Sequence, residues 1–306
     1  MKMGNHSRRL VLRTGVFLAI LLFLPVWQAG AAASRMVMLS EIGQPVTAGS
    51  STTYADLLKL IFPDFAGAPV QEFEVLAHKT VPARHITDDH EVIALEGDIK
   101  FNLFVVLPIR SQGRDLLLLQ VDPVATIELE DGSKRFEEYS LLALYQNGSP
   151  PKLIDIMDIK TDRFNGFWSK NPVVKLNAAT DAFLVSNSHH NSNQQYTNVR
   201  MLFVNENRLQ EICSIFTLNV KSYCNNYVST LVFRTVPGRN DAYPPVVATI
   251  KLQREPSPRD CQPRRKGFTR KLPCEFRWDK KKQRYQQTPA HAAGLKWLDD
   301  FYNDKF

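Results

Sequence analysis

The sequence predicts a mainly β protein, an antiparallel hairpin meander of sandwich or partial-propeller type with one helix near each end. Three observations lead there. Apolar runs of strand length recur between residues 99 and 253. Several are separated by Asn- or Asp-containing pairs that tolerate the positive φ of tight hairpin turns. No strand–helix alternation recurs, which argues against a parallel α/β sheet.

The elements follow in order. "TYADLLKLIFPDF" places Tyr54, Leu57, Leu58 and Ile61 at helical spacing, with Ser51 or Thr52 as N-cap and Pro63 as the stop. "IKFNLFVVLPI" alternates, which puts Ile99, Phe101, Leu103, Val105 and Leu107 on one strand face. "RDLLLLQVDP" is a continuous apolar run suited to a strand covered on both sides. "VATIELE", "RFEEYSLLALY" and "PKLIDIMDIK" meet at Asp131-Gly132 and Asn147-Gly148, two hairpin junctions. Asn205-Glu206-Asn207 joins "NVRMLFV" to "RLQEICSIFTL", and "PGRNDAYP" joins "YVSTLVFRTV" to "PVVATIKLQ". Thr288-Pro289 fits the N-cap and first position of a closing helix whose Leu295, Leu298 and Tyr302 share a face.

Residues 1–33 read as an export signal. Lys2, Arg8 and Arg9 supply a basic start, "TGVFLAILLFLPVW" an apolar run, and "QAGAAAS" small residues with cleavage between Ala31 and Ser34. The run is shorter than the roughly 20 residues that span a bilayer, and no later segment is apolar enough to cross one. The expected organisation is a signal peptide at 1–33, a small polar tether at 34–50 and a β-rich domain at 51–253. A basic, disulfide-bridged hairpin region and the closing helix, 254–306, would pack on that same domain. The expected location is the periplasm or the medium.

Charge is uneven along the chain. The formal net charge is +7, of which the leader contributes four positive charges. Residues 254–284 hold 12 Lys/Arg against 4 Asp/Glu, so the remainder of the exported chain is at −5. A local basic patch of this kind speaks to a partner more than a diffuse high isoelectric point does.

All four cysteines, Cys213, Cys224, Cys261 and Cys274, lie beyond the leader. An even count in an oxidising compartment favours disulfides. Three pairings are open, and short-loop closure favours 213–224 with 261–274. A zinc site is disfavoured because no close C-x-x-C pair is present. On this pairing "CQPRRKGFTRKLPC" is a stapled loop presenting Arg264, Arg265, Lys266, Arg270 and Lys271, with no acid between its cysteines. "RWDKKKQRY" then reads as a hairpin with Trp278 and Tyr285 across the turn and Lys280, Lys281 and Lys282 at its tip. Arginine forks suit phosphate or carboxylate, whereas a solvated charge run needs no ligand at all.

Other polar groups offer alternative chemistry. "SNSHHNSNQQY" carries His189 and His190, candidate catalytic bases with Ser186, Ser188 or Ser192 as nucleophile. Adjacent strand residues point to opposite faces, and a loop whose Asn and Ser side chains bond their own backbone also accounts for the tract. Asp155, Asp158 and Asp162 before Asn165-Gly166 are candidate calcium ligands, although the EF-hand spacing is absent and solvent-facing strand positions would explain them. His78, His85, Asp88, Asp89 and His90 match no common metal spacing. No cofactor is implied.

The function expected from these features is that of an exported, non-enzymatic binding protein. Its basic C-terminal surface would meet a polyanionic envelope component: lipopolysaccharide phosphates, acidic glycan or anionic lipid head groups. Nucleic acid is a less natural partner outside the cell. The alternatives are a secreted hydrolase using the Ser186–Ser192 tract and a structural envelope protein without ligand.

Overall fold

The computed structural model describes residues 33–65, 72–81, 83–87, 93–236 and 242–305, so residues 1–32 of the expected signal peptide, Asp88, Asp89 and His90 lie outside the described residues. Two sheets carry the fold. The first holds β1 (Arg35–Met36), β2 (Glu72–Val81), β3 (Arg84–His85), β4 (Ile93–Ser111), β5 (Arg114–Glu128), β6 (Lys134–Glu138), β7 (Leu141–Gln146) and β8 (Lys152–Asp158). The second holds β9 (Phe164–Phe167), β10 (Val173–Lys175), β11 (Asp181–His190), β12 (Gln194–Asn205), β13 (Arg208–Lys221), β14 (Asn226–Thr235), β15 (Val246–Arg254), β16 (Phe268–Asp279) and β17 (Arg284–Gln287). Among the described residues pairing is antiparallel, apart from the short parallel contact of β3 with β8. The α-helices among the described residues are α1 (Tyr54–Ile61) and α2 (Pro289–Lys305).

Three apolar layers follow from this order. Leu57 and Leu58 of α1 pack on Leu119 and Tyr145 across one face of the first sheet. Leu118 and Leu144 on its other face meet Phe183 and Leu202 of the second sheet. The third layer lies inside the second sheet, which bends back on itself. β13 and β14 pair only at Val220↔Tyr227 and Lys221↔Asn226. Beyond that point the strands part, and Phe203 of β12 meets Trp278 and Tyr285 of the last hairpin edge-on, at 6.0 and 5.6 Å between centroids. α2 fills one side of the bend with Leu298 and Tyr302.

Most local expectations hold, with informative exceptions. The run at Leu116–Leu119 is buried on both faces because one sheet face meets α1 and the other the second sheet. Gly132 takes positive φ in its turn, and Glu206 and Asn207 do so in theirs. Gly148 is not among the positive-φ residues, so the β7–β8 turn is built without that device. The helix N-cap is Thr53 rather than Ser51 or Thr52: its side chain accepts from Asp56 N at 3.2 Å, and Asp56 Oδ2 accepts from Thr53 N at 2.8 Å.

On β4 the expected single face breaks. The register against β5 shifts between Phe101 and Phe104. Ile99 and Phe101 therefore share the α1 side with Phe104 and Val106, while Leu107 turns to the layer between the sheets. Residues 34–50, expected as a tether, bury Val37 and Ile42 in the first layer. At the other end, β16 and β17 are strands of the second sheet.

The cysteines pair differently from expectation. Cys224 bridges Cys261, and Cys213 and Cys274 are buried thiols. The reason is extended backbone. Cys274 lies on β16 opposite Ala248, six residues beyond the strand start at Phe268. At about 3.3 Å per residue that places it about 20 Å along the strand, whereas a disulfide needs Cα atoms within about 7 Å. Cys213 is likewise mid-strand in β13, opposite Met201. Short loops favour neighbouring cysteines only where the intervening chain is a loop.

Candidate anion-binding face

The basic residues of 254–284 do not form one loop. β16 is 12 residues long, about 36 Å at strand rise, and separates them into two groups. At one end lie Arg264, Arg265 and Lys266, on a segment held by the Cys224–Cys261 bridge and by paired bonds between Ser257 and Arg265. At the other end Lys280, Lys281 and Lys282 form the turn between β16 and β17, where Asp279 accepts from Lys281 N and Lys282 N. Trp278 and Tyr285 are directly paired across this turn, as the sequence predicts.

Strand alternation decides what each cation on β16 does. Leu272, Cys274 and Phe276 point into the third layer and are buried. Arg270 shares their side and stacks over Trp297 of α2, its Cζ 3.7 Å from the ring centroid. It is therefore a packing cation, and so is Arg254, which lies over Phe268 at 5.0 Å and donates to Lys266 O. Lys271 points the other way and is exposed.

Lys271 has a companion that sequence reading missed. It pairs directly with Lys251 of β15, which in turn pairs with Thr230 of β14. The signal lay in "VVATIKLQR", where Val246, Ala248, Ile250 and Leu252 alternate inward and leave Val247, Thr249, Lys251 and Gln253 outward. Arg234 of β14 shares this outward face, four residues along from Thr230. Among the described residues, the side chains of Lys251, Lys271, Arg234, Arg264 and Lys266 make no hydrogen bond or ion pair. Glu275 is the acid within the row and is taken by Arg277 at 2.9 Å. The outward face of β14–β16, with the 262–267 segment at its rim, is thus a surface of mixed exposure, Lys271 exposed, Lys251 half-buried and Val247 buried, with uncompensated positive charge.

The hairpin-tip group borders a cleft of about 430 Å³ whose wall includes Arg84, His85, Arg208, Glu211, Lys282 and Arg284. Much of its charge is internally balanced. Arg84 pairs with Asp155 at 2.6 Å and Glu211 with Arg200 at 2.6 Å.

The remaining candidates are engaged separately. Asp155 accepts from Arg84 and from Leu209 N, bridging the two sheets. Asp158 accepts from Ser140 N and Lys160 N, and burial pushes its carboxyl above the ordinary value. Asp158 is buried and Asp155 is part-buried and paired, so neither is a free solvent-facing carboxylate. Asp162 lies 3.2 Å from His189 Nδ1. His189 and His190 do fall on opposite faces: His190 sits edge-on to Phe164. β11 runs through both histidines, so the loop is only 191–193, where Asn191 Oδ1 accepts from Asn193 N and Gln194 N. Among the described residues, no serine of the tract bonds either imidazole. His85 Nε2 donates to Lys160 O at 2.8 Å, and His85 pairs with Asp158 across β3 and β8.

No helix among the described residues is long and apolar enough to cross a membrane. Comparison of the chain with protein-family models, curated proteins and solved structures found no match.

Proposed function

We propose that this is an exported, non-catalytic binding protein that takes a polyanionic envelope component on the outward face of β14–β16. The observation that carries the reading is the Lys251–Lys271 pair. Like charges directly opposite on neighbouring strands are destabilising, and no carboxylate among the described residues offsets them. An anionic group set between them relieves the repulsion, and Arg264, Lys266 and Arg234 extend the positive surface around it. Arginine forks favour phosphate and carboxylate oxygens, which are the groups of lipopolysaccharide, acidic glycans and anionic lipid heads. Export is supported by the leader at residues 1–33 and by the Cys224–Cys261 bridge, a bond kept in oxidising compartments.

The test is retention on immobilised heparin and lipopolysaccharide. Lys251→Gln/Lys271→Gln should elute at lower salt than the parent on at least one resin, while Lys280→Ser/Lys281→Ser/Lys282→Ser changes elution less. Equal elution of parent and first variant on both resins would leave the face without an anionic partner.

A further inference from the structure

We propose a second, chemically different site: a groove inside the bend of the second sheet that takes a neutral saccharide. It measures about 500 Å³ and lies between the inner face of β11–β13 and β14. That volume falls within the range of small-molecule sites.

The inner face changes character at one level across three strands. Deeper in, Leu184, Met201 and Cys213 belong to the apolar third layer. Toward the open end, Ser188, Thr197 and Thr217 stand directly across from one another. Gln195 and Asn219 form the next cross-strand pair outward. Ser186 precedes Ser188 on the same face, and Ser229 of β14 closes the opposite side. Three strands switching from apolar to hydroxyl and amide side chains at one level is not explained by burial, since these groups are mostly half-exposed.

The hydrogen bonds show which groups are spoken for. Thr217 Oγ1 donates to Thr197 O, Asn219 Oδ1 accepts from Ser229 N, and Ser229 Oγ reaches Leu218 O and the Tyr302 hydroxyl. These bonds hold the walls where β13 and β14 part. Ser186, Ser188, Gln195 and the Thr197 hydroxyl make none among the described residues.

The lining selects the ligand class. None of its residues is ionisable, so an ion would lose hydration with no opposite charge to replace it. A purely apolar ligand would leave the hydroxyls and amides unpaired. A neutral ring rich in hydroxyls satisfies both limits, and its C–H face can rest on Trp168, Val199 or Leu231, which also line the groove. This site shares no residue with the charged outward face except Thr230, at the strand between them.

The experiment uses an array of neutral oligosaccharides built from hexoses, N-acetylhexosamines and pentoses, probed with the disulfide-intact protein. At least one neutral glycan should be retained, and titration with it should quench or shift tryptophan fluorescence. Ser188→Phe, which fills the groove, should weaken that glycan by at least about tenfold. Gln195→Ala, at the rim, should weaken it less while the melting temperature stays at the parent value. Lys251→Gln/Lys271→Gln should bind it as the parent does, which keeps the outcome separate from that of the anionic face. Retention of no neutral glycan, or equal binding by Ser188→Phe and parent, would overturn the proposal. Capture of only unstructured peptides would overturn it as well.

Discussion

Lys251 and Lys271 stand directly opposite each other on β15 and β16, on a solvent face, with no carboxylate partner among the described residues. Cross-strand neighbours of this kind interact by roughly 0.2–1 kcal/mol, unfavourably when the charges are alike. The prediction is a trade-off: Lys271→Glu should raise stability by about 0.5 kcal/mol, or about 1–2 °C in melting temperature. The same substitution should abolish any gain from heparin. Calorimetry with and without heparin measures both. A variant less stable than the parent would remove the repulsion from the account.

Arg270 supplies the contrast. Its guanidinium lies on Trp297, so it docks α2 and does not face a partner. Arg270→Ala should cost about 1 kcal/mol of stability and leave heparin affinity nearly unchanged once folding is matched. A loss of affinity equal to that of Lys271→Gln, at unchanged stability, would contradict this assignment.

The disulfide makes a mapping prediction. Non-reducing digestion should link Cys224 to Cys261 across their 37-residue separation. Breaking that bridge should cost about 4 kcal/mol in the chain-entropy description. Cys213 and Cys274 should resist alkylation in the native state, because burial pushes the Cys274 thiol up to about 11 and the Cys213 thiol higher still. Rapid labelling of either at pH 8 would contradict the buried-thiol assignment.

Asp122 gives a signed pH dependence. It is half-buried, accepts from Ser140 Oγ at 2.6 Å and Gln120 Nε2 at 3.1 Å, and its carboxyl is raised above the ordinary value chiefly by loss of hydration. A carboxyl raised in the folded state costs nothing below its unfolded pKa. The cost grows as pH rises through the window between the two values and is complete above it. The stability of the parent relative to Asp122→Asn should therefore improve as pH falls from neutrality into that window. Denaturant unfolding at stepped pH reads this, and a difference that widens against the parent on acidification would refute it.

Sequence reading recovered what strand periodicity and turn chemistry encode. The hairpins at Gly132 and at Glu206-Asn207, the Trp278–Tyr285 pairing and the α2 face all depend on residues close together in the chain. What it missed depends on register across strands. Lys251 is one unremarked cation in its own segment and becomes part of a site only when β15 lies beside β16. The bulge on β4 and the Cys224–Cys261 pairing were hidden for the same reason. Ser186 and Ser188 drew attention as possible nucleophiles. Their place across from Thr197 and Thr217 belongs to a groove that no single segment displays.

The salt dependence of heparin affinity tests the central claim most directly. Each phosphate or sulfate contact displaces condensed counterion, so four or five contacts give a log–log slope of about −3 to −4, using about −0.7 to −0.9 per contact. Replacing Lys251 and Lys271 by Gln should flatten that slope by about 1.4–1.8 on the same basis. Circular dichroism and melting temperature should hold at parent values or rise. A parent slope near zero, or an identical slope in the double variant, would contradict an anion-binding role for the outward face of β14–β16.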